Sequence, residues 1–316
     1  MRFDNRSRVS TYLSDWMPTG DTTYQKAGYF GGGYDTGYLS GIDKIALPAD
    51  TKSTLSATLS TDRGDLAGMA DSGVAGYFCG GYGGTRLSGI DKITFPADSK
   101  TTLSATLSTG RSGCDAMANS AVAGYIGAGY DTGLLSAIDK ITFPADTKTT
   151  LSATLSTAIT GPGSMADSGV AGYFAGGYGS LTRIDKITFP ADTKTTLSAT
   201  LSVGLTAPGS MANSGVAGYV AGGDGAGSGF QSGIDKIAFP ADTKTTLSAT
   251  LTAVSGYLSG MADTGVAGYF GGGQNNGGNL SGIDKIAFPA DTKTTLSAVL
   301  TTAKTDMAAF ADCGVF

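Results

Sequence analysis

Short apolar runs alternate with glycine-rich or proline-containing segments along most of the chain, and residues 117–156 show the pattern best. Four segments of this copy are predicted to be strands, because each has the length of a strand and is bounded by turn-forming residues. They are residues 117–123 (strand a), 124–128 (b), 137–143 (c) and 149–156 (d). Strand d alternates small polar residues with leucine, which predicts a half-exposed outer strand. Pro144 and Asp146 predict a hairpin turn between c and d.

The tetrad Ile-Asp-Lys-Ile marks every copy of this unit. The copies lie roughly 46 to 50 residues apart, and the tetrad begins at Ile42, Ile90, Ile138, Ile184, Ile234 and Ile283. A repeat of this length with several short strands is typical of a β-propeller blade. We therefore predict an all-β fold, a six-bladed β-propeller of four-stranded blades.

The two ends of the chain complement each other. The first copy, residues 27–61, has segments b, c and d but no strand a, whereas residues 310–316 resemble a strand a with no b after it. We predict that the ring is closed by this C-terminal inner strand, which completes the first blade and removes open sheet edges. The predicted domains are an N-terminal arm, residues 1–26, and the propeller, residues 27–316.

The unit resembles a kelch repeat. The resemblance rests on the strand order and on a Gly-Gly doublet that follows an aromatic residue at the end of strand b, at Gly32-Gly33, Gly80-Gly81, Gly176-Gly177, Gly222-Gly223 and Gly272-Gly273. Leucine stands where the kelch pattern has a tryptophan in strand d. The phrase Phe-Pro-Ala-Asp-Thr-Lys-Thr-Thr-Leu also resembles tandem propeller repeats in structural proteins of bacterial viruses.

Composition supports the all-β prediction and excludes several kinds of chemistry. The chain has no His and no Glu, which excludes a Ser-His-Asp triad and a His-ligated metal site. Its net charge is −5, and most lysines belong to the repeated phrases with an Asp nearby, so we expect no nucleic-acid partner. Cys79, Cys114 and Cys313 lack paired spacing and are predicted to be buried fillers. No cofactor is expected.

Neither a membrane-spanning apolar run nor the apolar core of a signal peptide is found, so no membrane insertion is expected. We expect the protein either to stay in the cytosol or to leave the cell, as part of a particle or by another route, and we predict a location in a virion with the cytoplasm as the alternative. The arm contains Arg6, Arg8 and the one tryptophan, Trp16. It either packs as a strap over one face of the ring or attaches the protein to a partner subunit, with Trp16 as the anchor.

Differences between copies fall on one predicted face. In an antiparallel blade the b-to-c and d-to-a loops lie on the same face, and the a-to-b and c-to-d turns lie on the opposite one. The b-to-c and d-to-a loops vary among the copies, whereas the a-to-b and c-to-d turns hardly change. One interpretation is a recognition face of polar and aromatic side chains; the other is drift in tolerant loops. The candidate binding residues are Tyr34, Asp35, Tyr38, Arg63, Tyr82, Arg86, Arg111, Tyr130, Arg183, Gln274, Asn275 and Asn276.

A ring of oxygen-bearing side chains is predicted around the central channel. Strand a carries Asp or Asn at one position, namely Asp71, Asn119, Asp167, Asn213, Asp263 and Asp312. The ring would hold a hard cation, or each side chain would bond to backbone in its own turn or in the next blade. We favour the second interpretation and predict no metal.

These features together predict a non-catalytic binding or structural protein. The viral resemblance implies a bacteriophage virion component (tail, fibre or capsid decoration), with virion proteins or a host-surface glycan or protein as partners. The kelch resemblance implies a cytosolic protein-interaction scaffold as the alternative. A glycan-acting enzyme is a third alternative, because six-bladed rings and arginine clusters also occur in sialidases.

Overall fold

The computed structural model describes residues 25–225 and 227–314. Trp16, Arg6 and Arg8 lie outside the described residues, so their predicted role in attachment stays a prediction. Of the predicted arm, only Gln25 and Lys26 are described. The Gln25 amide donates a hydrogen bond to the Leu47 carbonyl (2.7 Å), and the Lys26 ammonium pairs with Asp263 (3.0 Å).

The described residues form strands and no helix. The first strands are β1 (Ala27–Gly31), β2 (Ile42–Ala46), β3 (Thr51–Thr54), β4 (Ala67–Asp71), β5 (Ala75–Cys79), β6 (Ile90–Thr94), β7 (Ser99–Thr102), β8 (Asp115–Asn119), β9 (Ala123–Gly127), β10 (Ile138–Thr142), β11 (Thr147–Thr150), β12 (Gly163–Asp167), β13 (Ala171–Ala175), β14 (Ile184–Thr188) and β15 (Thr193–Thr196).

The later strands are β16 (Leu205–Thr206), β17 (Gly209–Asn213), β18 (Ala217–Ala221), β19 (Asp224–Gly225), β20 (Gly229–Phe230), β21 (Ile234–Ala238), β22 (Thr243–Thr246), β23 (Ser259–Asp263), β24 (Ala267–Gly271), β25 (Gln274–Asn275), β26 (Gly278–Asn279), β27 (Ile283–Ala287), β28 (Thr292–Thr295) and β29 (Ala308–Ala311). Membrane-crossing helices are not found in the described part of the chain.

Each repeat builds a four-stranded antiparallel sheet in the order a, b, c, d. These sheets are β4-β5-β6-β7, β8-β9-β10-β11, β12-β13-β14-β15, β17-β18-β21-β22, β23-β24-β27-β28 and β29-β1-β2-β3. In the last of them the C-terminal strand β29 pairs with β1, and Phe310 lies opposite Tyr29. Tandem sheets of this kind make a propeller-like repeat fold.

The observed strands differ from the predicted ones at their ends. In the copy 117–156 strand a is β8, which ends at Asn119 because residues 120–122 turn, with Ala121 at φ 62°. Strand d is β11, which stops at Thr150, well before the predicted residue 156. The segment after it leaves the sheet because Leu155 turns into the core, where its side chain is 3% exposed.

Methionine side chains fill the space between neighbouring sheets. A Cβ added at Gly124 of β9 would lie 2.1 Å from the sulfur of Met69 in β4, so a larger residue there would displace the methionine side chain. The same pairing recurs between Met117 and Gly172, Met165 and Gly218, Met211 and Gly268, and Met261 and Gly28, with Phe310 against Gly76.

A second contact between sheets uses the repeated Lys and Asp residues. The Tyr125 hydroxyl and the Lys140 ammonium donate to the two carboxylate oxygens of Asp192, at 2.8 and 2.7 Å. Tyr125 and Lys140 belong to one sheet, and Asp192 lies in the c-to-d turn of the next. Each sheet repeats this contact, with Asp98, Asp146, Asp242, Asp291 and Asp50 as the other acceptors. These lysines are therefore bound within the scaffold.

The Asp and Asn residues of strand a also tie sheets together. Asp71 accepts a hydrogen bond from the Ala121 N–H (2.7 Å), and Asn119 accepts one from the Gly169 N–H (2.9 Å). Asp167 and Asn213 repeat this with Gly215 and Gly265, whereas Asp312 accepts from the Ala27 N–H of its own sheet and Asp263 accepts from the Lys26 ammonium. The contacts of Asp71, Asn119, Asp167, Asn213 and Asp312 match the backbone-bonding interpretation, and that of Asp263 is to a side chain. Within residues 25–225 and 227–314, no group of three or more Asp or Cys side chains is placed to hold a metal ion.

Candidate functional site

The two kinds of varied loop meet on one face of the molecule. Bridges join a d-to-a loop to a b-to-c loop at Gly64 and Tyr82, and again at Ser112 and Tyr130. Further bridges join Tyr34 to Thr305 and Gly256 to Gln274. We call this surface the variable face, and it consists of the b-to-c and d-to-a loops.

A closed cycle of backbone hydrogen bonds lies at the centre of the variable face. One residue from each d-to-a loop donates its N–H to the carbonyl of the equivalent residue in the preceding loop, over 2.7 to 3.1 Å. All of these residues have φ between 49° and 60°, and they are Asp65, Gly113, Gly161, Ala207, Tyr257 and Asp306. Because these six residues share one backbone conformation, the centre of the variable face differs from repeat to repeat only in their side chains.

The cycle surrounds a cavity of about 330 Å³. Asp65, Asp306 and Tyr257 crowd one side of it, whereas Gly113 and Gly161 leave the other side open. Tyr130 and the exposed Tyr178 stand at its edge, and Asp115 lines its wall. A cavity with apolar walls and a few convergent polar groups is the usual form of a small-ligand site.

Burial changes the proton affinity of the acids in this cavity. The carboxyl groups of Asp65 and Asp306 share a hydrogen bond, and burial together with the neighbouring Asp65 raises the pKa of Asp306 to about 8. Burial also raises the pKa of Asp115 to about 7, against the hydrogen bond it accepts from the Ala116 N–H. The adjacent pair therefore holds a proton at neutral pH, so it can both donate and accept hydrogen bonds.

Five of the predicted binding residues form an aromatic arc across three neighbouring loops. The Tyr34 and Tyr38 rings meet edge to face with centroids 5.1 Å apart, and Tyr38 meets Tyr82 in the same way at 5.5 Å. The Arg86 guanidinium lies 4.6 Å from the centroid of the Tyr130 ring. Because Tyr130 also borders the cavity, the arc and the cavity form one continuous surface.

Other predicted binding residues lie around the rim of the variable face. Gln274 and Asn275 form β25 and are half-buried, and Asn276 is exposed in the turn after it. Asp35 is half-buried in the same loop as Tyr34. Arg183 is also half-buried, and its Nε lies 3.7 Å from Asp185, which orients it toward its own sheet.

Arg63 and Arg111 do not lie on this surface, contrary to the prediction that they contact a partner. Their side chains are 1% and 0% exposed. Arg63 pairs with Asp91 at 2.8 Å, and Arg111 pairs with Asp139 at 2.6 Å. They turn inward because each reaches a buried carboxylate of the next sheet, which satisfies the charges of both groups.

Sequence reasoning missed most of the cavity. The residues that it missed lie in loops that vary among the repeats. Within any one loop, nothing marks them as more important than their neighbours. They are Asp65, Asp115, Tyr178, Tyr257 and Asp306. An alignment of the d-to-a loops position by position would have placed Asp65, Tyr257 and Asp306 at one equivalent site in their repeats. Their convergence on one cavity depends on how the sheets are arranged in the fold.

Comparison with known proteins informs the fold only. No protein family model matches the chain, and no curated protein matches it. Among solved structures, the chain is similar to the structure of YjhT, with a TM-score of 0.66 and 14% sequence identity, over 87% of this chain and 98% of that one. At this identity the likeness supports the propeller-like repeat fold and carries no function across.

Proposed function

We propose that this protein is a non-catalytic binding protein whose variable face recognises a glycan on a host surface. The observation that carries the proposal is that the loops that differ among repeats converge on one face, where they build the aromatic arc and the cavity. Tyrosine rings offer flat apolar surfaces with a polar tip, and the shared-proton acid pair offers both donors and acceptors. The opposite face consists of nearly identical turns.

The proposal includes a closed six-bladed ring. Support comes from strand a of each sheet, which contacts the strand a of its neighbours in cyclic order, including β29 with β4. The Tyr-Lys-Asp contact also continues from the last repeat to the first, since Tyr269 and Lys285 bind Asp50. Kelch-like kinship remains part of the proposal, on the Gly-Gly doublets and the strand order.

A glycan array with purified protein tests recognition. Tyr82→Ala and Arg86→Ala should each weaken binding of any positive glycan about 5- to 30-fold, since truncation of a central aromatic or arginine contact costs about 1–2 kcal/mol. Val122→Ser is the matched control, because Val122 is exposed (44%) in an a-to-b turn of the opposite face. Equal binding by all three variants would refute the proposed face.

We further propose that the protein is a component of a bacteriophage virion, on the strength of the repeated phrase. Mass spectrometry of purified particles and of the soluble fraction from the same source tests this setting. Recovery with particles in a fixed ratio to a coat or tail protein supports it. Recovery in the soluble fraction alone refutes it and favours a cytosolic scaffold.

One observation favours catalysis as a second function. The Asp65 and Asp306 carboxyl groups are neighbours in a cavity, and their raised pKa values let the pair hold a proton near neutral pH, as acid catalysts do. However, glycosidase carboxyl groups lie about 5 to 9.5 Å apart, whereas these two are in direct hydrogen-bond contact. Hydrolysis of an array-positive glycan that Asp306→Asn abolishes would establish catalysis instead of binding alone.

A further inference from the structure

The buried carboxylate of strand c has a different neighbour from one repeat to the next. The position that faces it, in the segment after strand d, is Arg63, Arg111 or Lys304 in three repeats, and each pairs with that carboxylate. In two repeats it is Ile159 or Leu205, whose aliphatic side chains are buried in the core. In the remaining repeat it is Ser255, opposite Asp284.

The backbone at this position is equivalent in all of these repeats. The carbonyl of Arg63 accepts the Gly33 N–H at 2.8 Å, and the carbonyl of Ser255 accepts the Gly223 N–H at 2.8 Å. Ser255 therefore stands where an arginine stands elsewhere, with a side chain too short to reach the carboxylate.

A cavity of about 140 Å³ lies in the space left by the short side chain. Ser255, Phe270, Gly272, Gly282 and Asp284 line it. Two exposed threonines, Thr252 and Thr295, also line it, and their hydroxyls are hydrogen-bonded to each other at 2.7 Å.

The residues around this cavity match, by repeat position, those whose oxygens hold a guanidinium in another repeat. Arg63 donates to the carbonyls of Phe78, Gly80 and Gly89 and to the Asp91 carboxylate, over 2.8 to 3.4 Å. The equivalent residues by repeat position are Phe270, Gly272, Gly282 and Asp284, and all of them line the cavity. Planar N–H groups in a fixed fork suit this set of carbonyl and carboxylate oxygens.

We propose that this cavity, between the Ser255 segment and β27, is a binding site for a guanidinium group. The bound group takes the place of the arginine side chain found at Arg63 and Arg111, and its charge pairs with Asp284. It belongs either to a free small molecule or to an arginine side chain of a partner protein.

Thermal unfolding of the full chain with methylguanidinium chloride tests the site, with sodium chloride and tetramethylammonium chloride as ionic controls. At about ten times its Kd a bound ligand multiplies the folded-to-unfolded ratio about elevenfold, which raises Tm by about 2–3 °C. We expect a saturable rise with methylguanidinium only, and calorimetry should show one site per chain.

Two variants with side chains taken from the other repeats make the test specific. Ser255→Leu, which introduces the side chain found at Leu205, should fill the cavity without a cation and abolish the methylguanidinium effect. Ser255→Arg should abolish it too and should raise the Tm of the unliganded protein. Absence of saturable binding in the wild type, or binding by Ser255→Leu equal to the wild type, overturns the proposal.

The two possible sources of the guanidinium group are distinguished by comparing the binding of free arginine with that of a blocked peptide that contains one arginine. Binding of free arginine alone supports a small-molecule ligand, and binding of the peptide supports an arginine of a partner protein. If neither binds although methylguanidinium does, the site accepts a smaller guanidine. If none of the probes binds, the proposal is wrong.

Discussion

Replacement of Arg111 by leucine tests whether this arginine stabilises the fold or serves the binding face. The side chain is fully buried, and it donates to Asp139 (2.6 Å), to Ser108 (2.8 Å) and to the carbonyls of Ala128 and Ala137 (both 3.3 Å). Arg111→Leu removes all four of these hydrogen bonds. Leucine is a fair replacement, because Leu205 occupies the equivalent position opposite Asp235.

The expected cost follows from what Asp139 retains. Loss of one partner of a buried ion pair usually costs about 3–5 kcal/mol, because the remaining charge is left uncompensated. Here Asp139 still accepts the Ser108 N–H and hydroxyl and the Thr150 hydroxyl, at 2.6 to 2.8 Å. Its charge remains partly compensated, so we expect a loss of about 2–3 kcal/mol in the free energy of unfolding, at or below the low end of that range.

Urea unfolding measures this cost, with the slope of the transition compared between variants to check that both unfold in the same way. The control is Arg86→Leu, since Arg86 is exposed on the variable face, and its stability should change by no more than about 0.5 kcal/mol. Glycan binding should show the opposite pattern, retained by Arg111→Leu and weakened by Arg86→Leu. Unchanged stability together with lost binding in Arg111→Leu would refute the structural role.

Two further outcomes are expected. Gly124→Ala places a methyl group 2.1 Å from the Met69 sulfur and should lower the free energy of unfolding by about 1–3 kcal/mol, measured by urea unfolding. Gly133→Ala is the control and should leave stability unchanged, because there is open space around Gly133. Equal effects of the two substitutions would contradict the packing described for Gly124. Folding raises the pKa values of Asp306 and Asp115, so between about pH 4 and 8 the folded state binds more protons than the unfolded state. The free energy of unfolding should therefore decrease as the pH rises, by up to about 1.4 kcal/mol per pH unit for each extra proton. Tm measured from pH 5 to 9 should show this fall, and Asp306→Asn should flatten it; an unchanged slope in that variant would contradict the assignment.

The repeat could be read from the sequence because its signals are local. Strand length, the Pro144 turn and the glycines between strands act within a few residues, and recurrence of the same phrase predicted the tandem sheets. The complementary ends predicted that β29 would lie beside β1. The strand ends were less accurate, because Leu155 leaves the sheet to reach the core, and that depends on the space beneath it.

Which loops vary could also be read from the sequence, and tertiary structure decided what their side chains do. Arg86 and Arg111 occur in similar polar, glycine-containing loops, yet one stacks on Tyr130 and the other is buried on Asp139. The loop sequences do not reveal this difference, because in both cases the partner belongs to the next sheet. The acid pair of Asp65 and Asp306 joins residues from opposite ends of the chain. The sequence by itself determined the repeating scaffold through short-range patterns, whereas the cavity and its proton affinities exist only because the fold brings distant positions together and removes water from them.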